Sequence, residues 1–434
     1  MLYLLLEIQL PAQTYWTYRD CIVYALEHSQ DVKMAALDLQ KQQLIYRNQR
    51  NAILPGISES TGYGISVGKS IDPNTNNIIN NQFFSNNYGI SSSFMLFNNF
   101  RQYNRIIFEK YNLDIVKNEL KQAENDLIYK VIESYTGCLL SSGLLAIQEE
   151  QRNLSVQELD RINKFIDQGL LPGSDLYDAR ARLAQDEFLL VQNKNSLKSK
   201  LHELKNLMNL PLDSVLNIIE PDEQIIRDQS MNHESIYQTT LKHNPGINIL
   251  NKQVNAAHKQ LQISRGSLYP SLSIYAGMST GYYETSRDDL GFTIPFNKQF
   301  NNNQYKNYGI SLRIPLFESF NRKNQIQLAK INEEIARTNL DKGLSILDYE
   351  IQDIVLQWES AVSEYQAIDT KLISELAAFE AAEKKREKGL ISIMDYYESR
   401  NNLAKAKMEL IRTRLQIFLS EQNIRFYMTG SFIN

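Results

Sequence analysis

Two segments of the chain share one alternating pattern of apolar and polar residues, at positions 220 residues apart. The first runs from Tyr88 to Leu96 and the second from Tyr308 to Leu316, where 308 − 88 = 220. Both begin Tyr-Gly-Ile-Ser, and apolar residues recur at most alternate positions after that. Because successive side chains of a β-strand point to opposite faces, the pattern predicts two strands with one apolar face each.

A further strand precedes each of these two. Between residues 57 and 70 every even position is serine or glycine, and the odd positions include Ile57, Tyr63 and Ile65. The sequence therefore predicts four strands, at about residues 57–70, 87–97, 271–283 and 307–316. We expect an exposed, asparagine-rich loop over residues 71–87, between the first two strands. Between the other two strands we expect a long polar loop with Asn301, Asn302 and Asn303.

Helical periodicity covers most of the remaining chain and includes two unusually long elements. We expect uninterrupted helices over residues 100–168 and 319–388, neither of which contains a proline. The 69 residues of the first (168 − 99) would extend roughly 100 Å at 1.5 Å per residue, far beyond a typical globular helix. Apolar residues of the second recur in alternating steps of three and four, as in a coiled coil.

Shorter helices complete each half of the chain. We expect them at residues 19–52, 175–208 and 232–265, and from about residue 391 to Met428. The turns between long and short helices contain Gly169-Leu170 and Gly389-Leu390, again 220 residues apart. The first two short helices have 34 residues each (52 − 18 and 208 − 174), so together they match the length of one long helix.

The repeat predicts two intertwined units rather than successive domains. We assign residues 13–220 to the first repeat and residues 221–434 to the second, with an equatorial belt near residues 209–231. Residues 1–12 are apolar but lack a basic start and contain Glu7, so they are interpreted as an imperfect signal-peptide remnant.

Four strands per chain are too few to close a barrel, and a sheet in lipid cannot leave its edges unpaired. Two chains would give a narrow, filled barrel, and three would give a twelve-stranded one. The serine and glycine face favours three chains around an open lumen, because a packed interior would need bulky side chains there. A soluble sheet with an aromatic core is the alternative.

Composition excludes several classes of function. The net charge is −4 and the mean hydropathy is −0.39, so nothing indicates nucleic-acid binding, and no apolar run reaches the length of a membrane-spanning helix. Two cysteines, Cys21 and Cys138, lie in helical patterns and are expected to be small buried residues rather than a disulfide.

No residue pattern indicates catalysis, a cofactor or a metal. The string Gly64-Ile65-Ser66-Val67-Gly68 fits G-x-S-x-G, but it lies within a predicted strand and no helix follows it. The five histidines lack metal-ligand spacing, and no phosphate-binding glycine loop is present. We therefore expect a protein that is not an enzyme.

With the repeat assembled, the chain resembles the TolC-like outer membrane efflux family over residues 16–428. The resemblance rests on an opening helix, two helix-to-strand junctions and two helical turns. These stretches are Trp16–Ile22 with Ala25-Leu26, Leu54-Pro55, Tyr269-Pro270, Gly169–Asp175 and Gly389–Asp395.

The resemblance implies a mixed fold of α-helices and transmembrane β-strands. Three chains would form a twelve-stranded barrel in the outer membrane of a Gram-negative bacterium, continued by a long α-helical barrel in the periplasm. The implied function is a passive exit duct of a tripartite efflux pump or type I secretion system. The implied partners are a periplasmic adaptor (membrane fusion protein) and an inner-membrane transporter of the RND or ABC type.

The resemblance also suggests a constriction at the periplasmic turns. Asp395 and Glu398 match an acidic pair that rings the entrance in family members, and Asp175 matches the acidic residue of the other turn. The alternative is that all three only complement helix N-termini. Arg386 and Ile391 stand where those members have the tyrosine and arginine of a latch, so the bonds that close the entrance are expected to differ.

Two other functions remain open at this point. A soluble coiled-coil scaffold would use the long helices alone, and an outer-membrane adhesin would use the asparagine-rich loops. Neither the cargo nor the pump partner follows from the sequence.

Overall fold

The computed structural model of the chain describes residues 15–71, 76–80, 82–221 and 232–432. The expected signal-peptide remnant at residues 1–12 lies outside these ranges. So do residues 222–231 of the expected belt.

Helices and strands occur in the order that the repeat predicts. The helices are α1 (Tyr18–His28), α2 (Gln30–Asn51), α3 (Arg101–Asp167), α4 (Ser174–Met208), α5 (His233–His243), α6 (Pro245–Gly266), α7 (Phe296–Asn302), α8 (Asn321–Glu387) and α9 (Ile393–Thr429). The strands are β1 (Gly56–Ser66), β2 (Lys69–Ile71), β3 (Ile78–Asn80), β4 (Phe83–Phe97), β5 (Ser271–Tyr283) and β6 (Tyr305–Arg313).

The chain forms two compact units. The helical unit contains residues 1–37, 117–248 and 341–434, and the sheet unit contains residues 38–116 and 249–340. Helices α2, α3, α6 and α8 each have residues in both units. The long helices α3 and α8 have 67 residues each. They are continuous over almost the full predicted lengths.

The sheet unit is built on one antiparallel sheet in the order β1-β4-β5-β6. Three predicted strands have different bounds: β1 ends at residue 66, β4 begins at residue 83 and β6 ends at residue 313. The expected loop between β1 and β4 also contains a short hairpin of β2 and β3.

Strand register separates the two faces of this sheet. Ser58 pairs with Ser91 and Gly89 pairs with Ser279, which places serine and glycine together on what we call the small face. Ile274 pairs with Ile310 on the opposite, apolar face. The predicted alternation of faces is therefore confirmed by the pairing of all four strands.

The second loop is more ordered than its polar sequence indicates. Between β5 and β6 it contains α7, whose Gln299 is almost completely buried. The Gln299 amide nitrogen donates to the Tyr283 and Ile294 carbonyl oxygens, and its amide oxygen accepts from the Tyr283 N–H. The sequence predicts a polar loop here but not the short helix, which is held in place because one glutamine satisfies three backbone groups.

The two strand-to-helix junctions have the same unusual backbone. Asn99 and Phe100 precede α3 with φ of 54° and 58°, and Ser319 and Phe320 precede α8 with φ of 47° and 60°. Two consecutive left-handed residues without a glycine are uncommon. Their recurrence at an offset of 220 shows that the repeat extends to backbone geometry.

A hydrophobic core holds α1, α3, α4 and α9 together in the helical unit. At its centre the Tyr135 hydroxyl lies 2.9 Å from the Trp16 carbonyl oxygen and accepts from the Ile219 N–H at 3.1 Å. Cys21 and Cys138 are both free and buried in this core, as expected, and burial raises the pKa of each thiol to about 12.

Two predicted helices are interrupted, and in the same way. The helix expected at 19–52 breaks at Ser29, and the helix expected at 232–265 breaks at Asn244, where both residues are extended. Asn244 precedes Pro245, which disfavours the helical conformation at that residue. Each side chain then caps the next helix, because Ser29 accepts from the Val32 N–H and Asn244 accepts from the Ile247 N–H.

Candidate functional site

The two long helices, α3 and α8, end in the same hydrogen-bonded motif. Gly169 has φ of +72° and Gly389 has φ of +66°, a region that glycine enters without strain. The Leu170 N–H bonds the Phe165 carbonyl oxygen and the Leu390 N–H bonds that of Lys385, each at an offset of five residues. The N–H groups of Gly169 and Gly389 also bond the carbonyl oxygens of the residues three positions earlier. Together these bonds form Schellman caps, which stop the long helices.

The three predicted acidic residues lie at the first turns of α4 and α9. Asp395 and Glu398 are exposed, whereas Asp175 is half-buried. Ser392 caps α9 by accepting from the Asp395 N–H at 3.1 Å, so the Asp395 carboxylate is not needed as the cap. Its exposure leaves the carboxylate available to solvent and ions.

A fully buried arginine joins three helices just beyond these turns. Arg400 of α9 bonds Asp186 of α4 and the Ser155 hydroxyl of α3, both at 2.8 Å. Ser155 also donates to the same Asp186 carboxylate. Arg182 Nε lies 3.4 Å from that carboxylate, and its Nη2 donates to Asn401 at 2.5 Å.

A second buried ion pair lies on the same side of the unit. Arg386 of α8 donates two hydrogen bonds, of 3.0 and 2.6 Å, to one carboxylate oxygen of Glu158 in α3. Arg161 donates to the Arg386 carbonyl oxygen at 2.5 Å. These contacts link the pair α3–α4 to the pair α8–α9 near their turns.

Burial changes the titration of the groups around these ion pairs. It raises the pKa of Tyr397 to about 12, and the nearby Glu158 charge acts in the same direction. Burial also lowers the pKa of Arg182, and the adjacent Arg400 cation lowers it further. Both guanidinium groups lie over the Tyr397 ring, at 5.7 and 5.3 Å. Two like charges therefore share one carboxylate and one aromatic ring.

The small face of the sheet is almost uncharged. Among the paired positions on this face, Arg313 is the one charged residue, at the end of β6 nearest α8, and the paired charges Glu59 and Lys306 lie on the opposite face. Tyr275 lies across Gly309, so that a Cβ at residue 309 would be 2.6 Å from the tyrosine hydroxyl. The Tyr275 side chain can therefore lie across residue 309 because that residue is a glycine.

Sequence reasoning missed both buried ion pairs. The sequence identified Arg386 only as a departure from the expected latch, and it did not identify Glu158, Asp186 or Arg400. A signal was present, because Arg400 falls between Tyr396–Tyr397 and Leu403–Ala404 in steps of three and four residues. A charged residue at a buried helical position predicts a buried partner.

Within the described part of the chain, no group of three histidine, cysteine or acidic residues could hold a metal ion. In the same residues, no helix is both long enough and apolar enough to cross a bilayer.

A family model described as "Outer membrane efflux protein" matches residues 21–210 and 236–430, which together make up most of the chain. The chain belongs to the outer membrane efflux protein family. Membership confirms the predicted resemblance, the location in the outer membrane of a Gram-negative bacterium, and the prediction of a transport protein rather than an enzyme.

Individual relatives are distant. The chain is 20% identical over 309 residues to the alkaline protease secretion protein AprF of Pseudomonas aeruginosa, covering 71% of this chain and 62% of AprF. It is 20% identical over 306 residues to the outer membrane protein TolC of Escherichia coli, covering 70% of this chain and 61% of TolC. The match thus spans less than two thirds of either relative.

The fold is closely similar to solved structures. The crystal structure of the Campylobacter jejuni CmeC outer membrane channel superposes with a TM-score of 0.81, at 17% identity, over 95% of this chain and 85% of CmeC. The predicted fold class, with a duplicated helix–strand–strand–helix–helix half, is confirmed by this similarity.

The buried ion pairs make a prediction about stability. Replacing Arg400 with Met should destabilise the protein by about 3–5 kcal/mol, because the buried Asp186 carboxylate would lose its hydrogen-bonded cation and keep only Ser155 and the longer contact with Arg182. Replacing Asp186 with Leu in the same protein should recover part of the loss. Denaturant unfolding monitored by circular dichroism measures both.

Lys407→Met is the matched control, since Lys407 forms an exposed pair with Glu150 at 2.7 Å. It should cost at most about 1 kcal/mol. Equal losses for Arg400→Met and Lys407→Met would contradict the role of burial.

Proposed function

We propose that this protein is the passive outer-membrane exit duct of a tripartite efflux pump or type I secretion system. The observation that carries the proposal is the sheet with one apolar face and one small, nearly uncharged face. An apolar face suits lipid, and an uncharged face of serine and glycine suits a water-filled lumen. Energy would come from an inner-membrane partner.

The proposed assembly is a homotrimer. Strands β1 and β6 are the two ends of the sheet order, so each has one edge without a partner strand among the residues that the structure describes. Pairing β1 of one copy with β6 of the next satisfies these edges, and three copies give twelve strands. The proposed protomer consists of two structural repeats, residues 13–220 and 221–434, with a belt near residues 209–231 and a signal-peptide remnant at 1–12.

The proposed partners are a periplasmic adaptor and an inner-membrane transporter of the RND or ABC type. Names of the relatives support a place in such systems, since they include a protease secretion protein, an efflux pump protein and a cation efflux protein. The relatives differ in what they carry, so the proposal is restricted to the duct itself.

We also propose that Asp395, Glu398 and Asp175 line the periplasmic constriction, next to the turns at Gly169-Leu170 and Gly389-Leu390. In a trimer, Asp395 and Glu398 would contribute six carboxylates around one axis. Arg386 and Glu158 would replace the missing latch residues by tying α8 to α3 within each protomer. Exposure of Asp395 and Glu398 supports this role over one in helix capping alone.

The first test is assembly and conduction. Purified protein in detergent should have the mass of three chains after correction for bound detergent, and it should dissociate to monomers on heating. The same preparation should form ion-conducting channels in planar bilayers. A monomer that gives no channels would refute the duct.

The second test concerns the faces of the sheet. Ile310→Arg should impair membrane assembly, because a charge on the lipid face costs about 2–4 kcal/mol near mid-bilayer. Ser311→Arg, one residue further and on the small face, should assemble normally and change the conductance. Gly309 is unsuitable as the control, because any side chain there would displace Tyr275. Equal assembly defects at residues 310 and 311 would refute the assignment of faces.

The third test concerns the constriction. The double variant Asp395→Asn, Glu398→Gln should lower cation selectivity in single-channel recordings and weaken block by multivalent cations, since six carboxylates would be lost per trimer. Glu364→Gln with Glu380→Gln is the control, with the same charge change on α8. Unchanged selectivity in the first variant would leave these carboxylates without a role in the pore.

A further inference from the structure

Basic residues concentrate where the sheet meets the helices. We call residues 47–59, 95–105, 262–273 and 311–323 the basic collar; all lie in the sheet unit and flank the helical end of a strand. The collar contains eight cations: Arg47, Arg50, Arg101, Arg105, Arg265, Arg313, Arg322 and Lys323. It contains two anions, Glu59 and Glu318, so its net charge is 8 − 2 = +6, whereas the whole chain has −4.

The collar does not neutralise its charge internally. Arg322 is bound by Glu318, through bonds of 2.8 and 2.5 Å, and by the Ser267 carbonyl oxygen. Arg265 and Lys323 are exposed, and neither forms an ion pair with an acidic side chain among the residues that the structure describes. Their charges face solvent.

The guanidinium groups of the collar are crowded, which is a second sign of its excess positive charge. Arg101 begins α3, and its Nε is buried without a hydrogen-bond partner. Burial lowers the pKa of Arg101, and the cations of Arg105 and Arg322 lower it further. Arginine beside arginine at the start of a helix is unfavourable on its own, because the helix N-terminus is already positive. An anion outside the chain would relieve the repulsion.

A groove of about 140 Å³ connects these cations to apolar surface. It is lined by Arg322 and Lys323, by Glu318, which pairs with Arg322, and by four apolar residues that we call the apolar wall: Leu268, Leu316, Phe317 and Phe320. These four apolar side chains are all more than half exposed, Leu316 at 92%. Of the two cations in the groove, Lys323 is therefore the one without an acidic partner among the described residues.

The apolar wall continues onto the apolar face of the sheet. Leu312 and Ile310 precede the groove along β6 and are exposed at 61% and 70%. The chain then passes through Pro315 and the groove into α8. This order, from apolar strand through aromatic residues to exposed cations, matches the passage from the acyl chains of a bilayer to its headgroups.

We propose that the basic collar binds anionic phospholipid in the membrane leaflet on the helical side of the sheet. The phosphate headgroup would lie against Lys323 and Arg265, and an acyl chain would lie in the groove and along β6. This inference rests on the proposed function, because it requires the apolar face of the sheet to lie in the membrane. It names the lipid class that the duct selects, which the duct function alone does not.

Native mass spectrometry of the full-length protein in nonionic detergent tests the proposal. The protein is titrated with phosphatidylglycerol or with phosphatidylcholine of the same acyl chains, and bound lipid per chain is counted. Phosphatidylglycerol should bind at least tenfold more tightly, and 0.5 M salt should abolish the difference because salt screens exposed charges. The readout applies to a trimer or a monomer, so it does not depend on assembly.

Charge-removing variants locate the binding. Arg265→Gln with Lys323→Gln should weaken phosphatidylglycerol binding about tenfold and leave phosphatidylcholine binding unchanged. The control is Lys198→Gln with Lys342→Gln, which removes two exposed cations from α4 and α8 outside the collar.

Several outcomes would overturn the inference. They are equal binding of the two lipids to the wild type, equal effects of the two variant pairs, and a collar variant that fails to trimerise in the absence of lipid. The last result would assign the cations to contacts between copies of the chain. Failure of the duct itself would be seen separately, as a wild-type protein without channels in bilayers.

Discussion

The unpaired edges of the two end strands, β1 and β6, set the conditions for the rest of the sheet unit. Each edge carries a row of backbone N–H and C=O groups, and a hydrocarbon environment offers them no water to bond. If the apolar face lies in such an environment, as we propose, both edges need strands from other copies of the chain. In the proposed assembly, the number of copies follows from the width of the lumen, which the small face keeps free of bulky side chains.

Much of this architecture could be predicted from the sequence because the chain contains the same pattern of elements twice. Alternation over residues 88–96 and 308–316 located the two strands next to the long helices, and the confirmed pairing of Ile274 with Ile310 places their apolar residues on one face. Steps of three and four along α8 indicated the buried seam, in which Ile351 and Trp358 are both buried. Periodic signals of this kind accumulate over many residues, so single exceptions do not obscure them.

Features that depend on one side chain were not predictable in this way. The break at Ser29 leaves the helical periodicity of α1 and α2 almost unchanged, so the sequence suggested one helix. Gln299 orders a loop whose composition is typical of exposed segments. Arg400 and Asp186 are 214 residues apart, and neither local sequence indicates that these two residues form an ion pair. Long-range polar pairs are decided by packing, and packing follows only from the assembled fold.

The buried ion pairs also show how far the two repeats have diverged. In both pairs the carboxylate, Glu158 or Asp186, belongs to the first half and the guanidinium, Arg386 or Arg400, to the second. The residues 220 positions from Glu158, Asp186 and Arg386 are Ala378, Ala406 and Ile166, whereas Arg400 corresponds to Arg180, which is also an arginine but is exposed. A chain made of two second halves would carry two copies each of Arg386 and Arg400, with alanine at both positions that correspond to Glu158 and Asp186. In both ion pairs, one half of the chain supplies the anion and the other half supplies the cation. Because the two halves belong to one chain, anion and cation are always present in equal numbers.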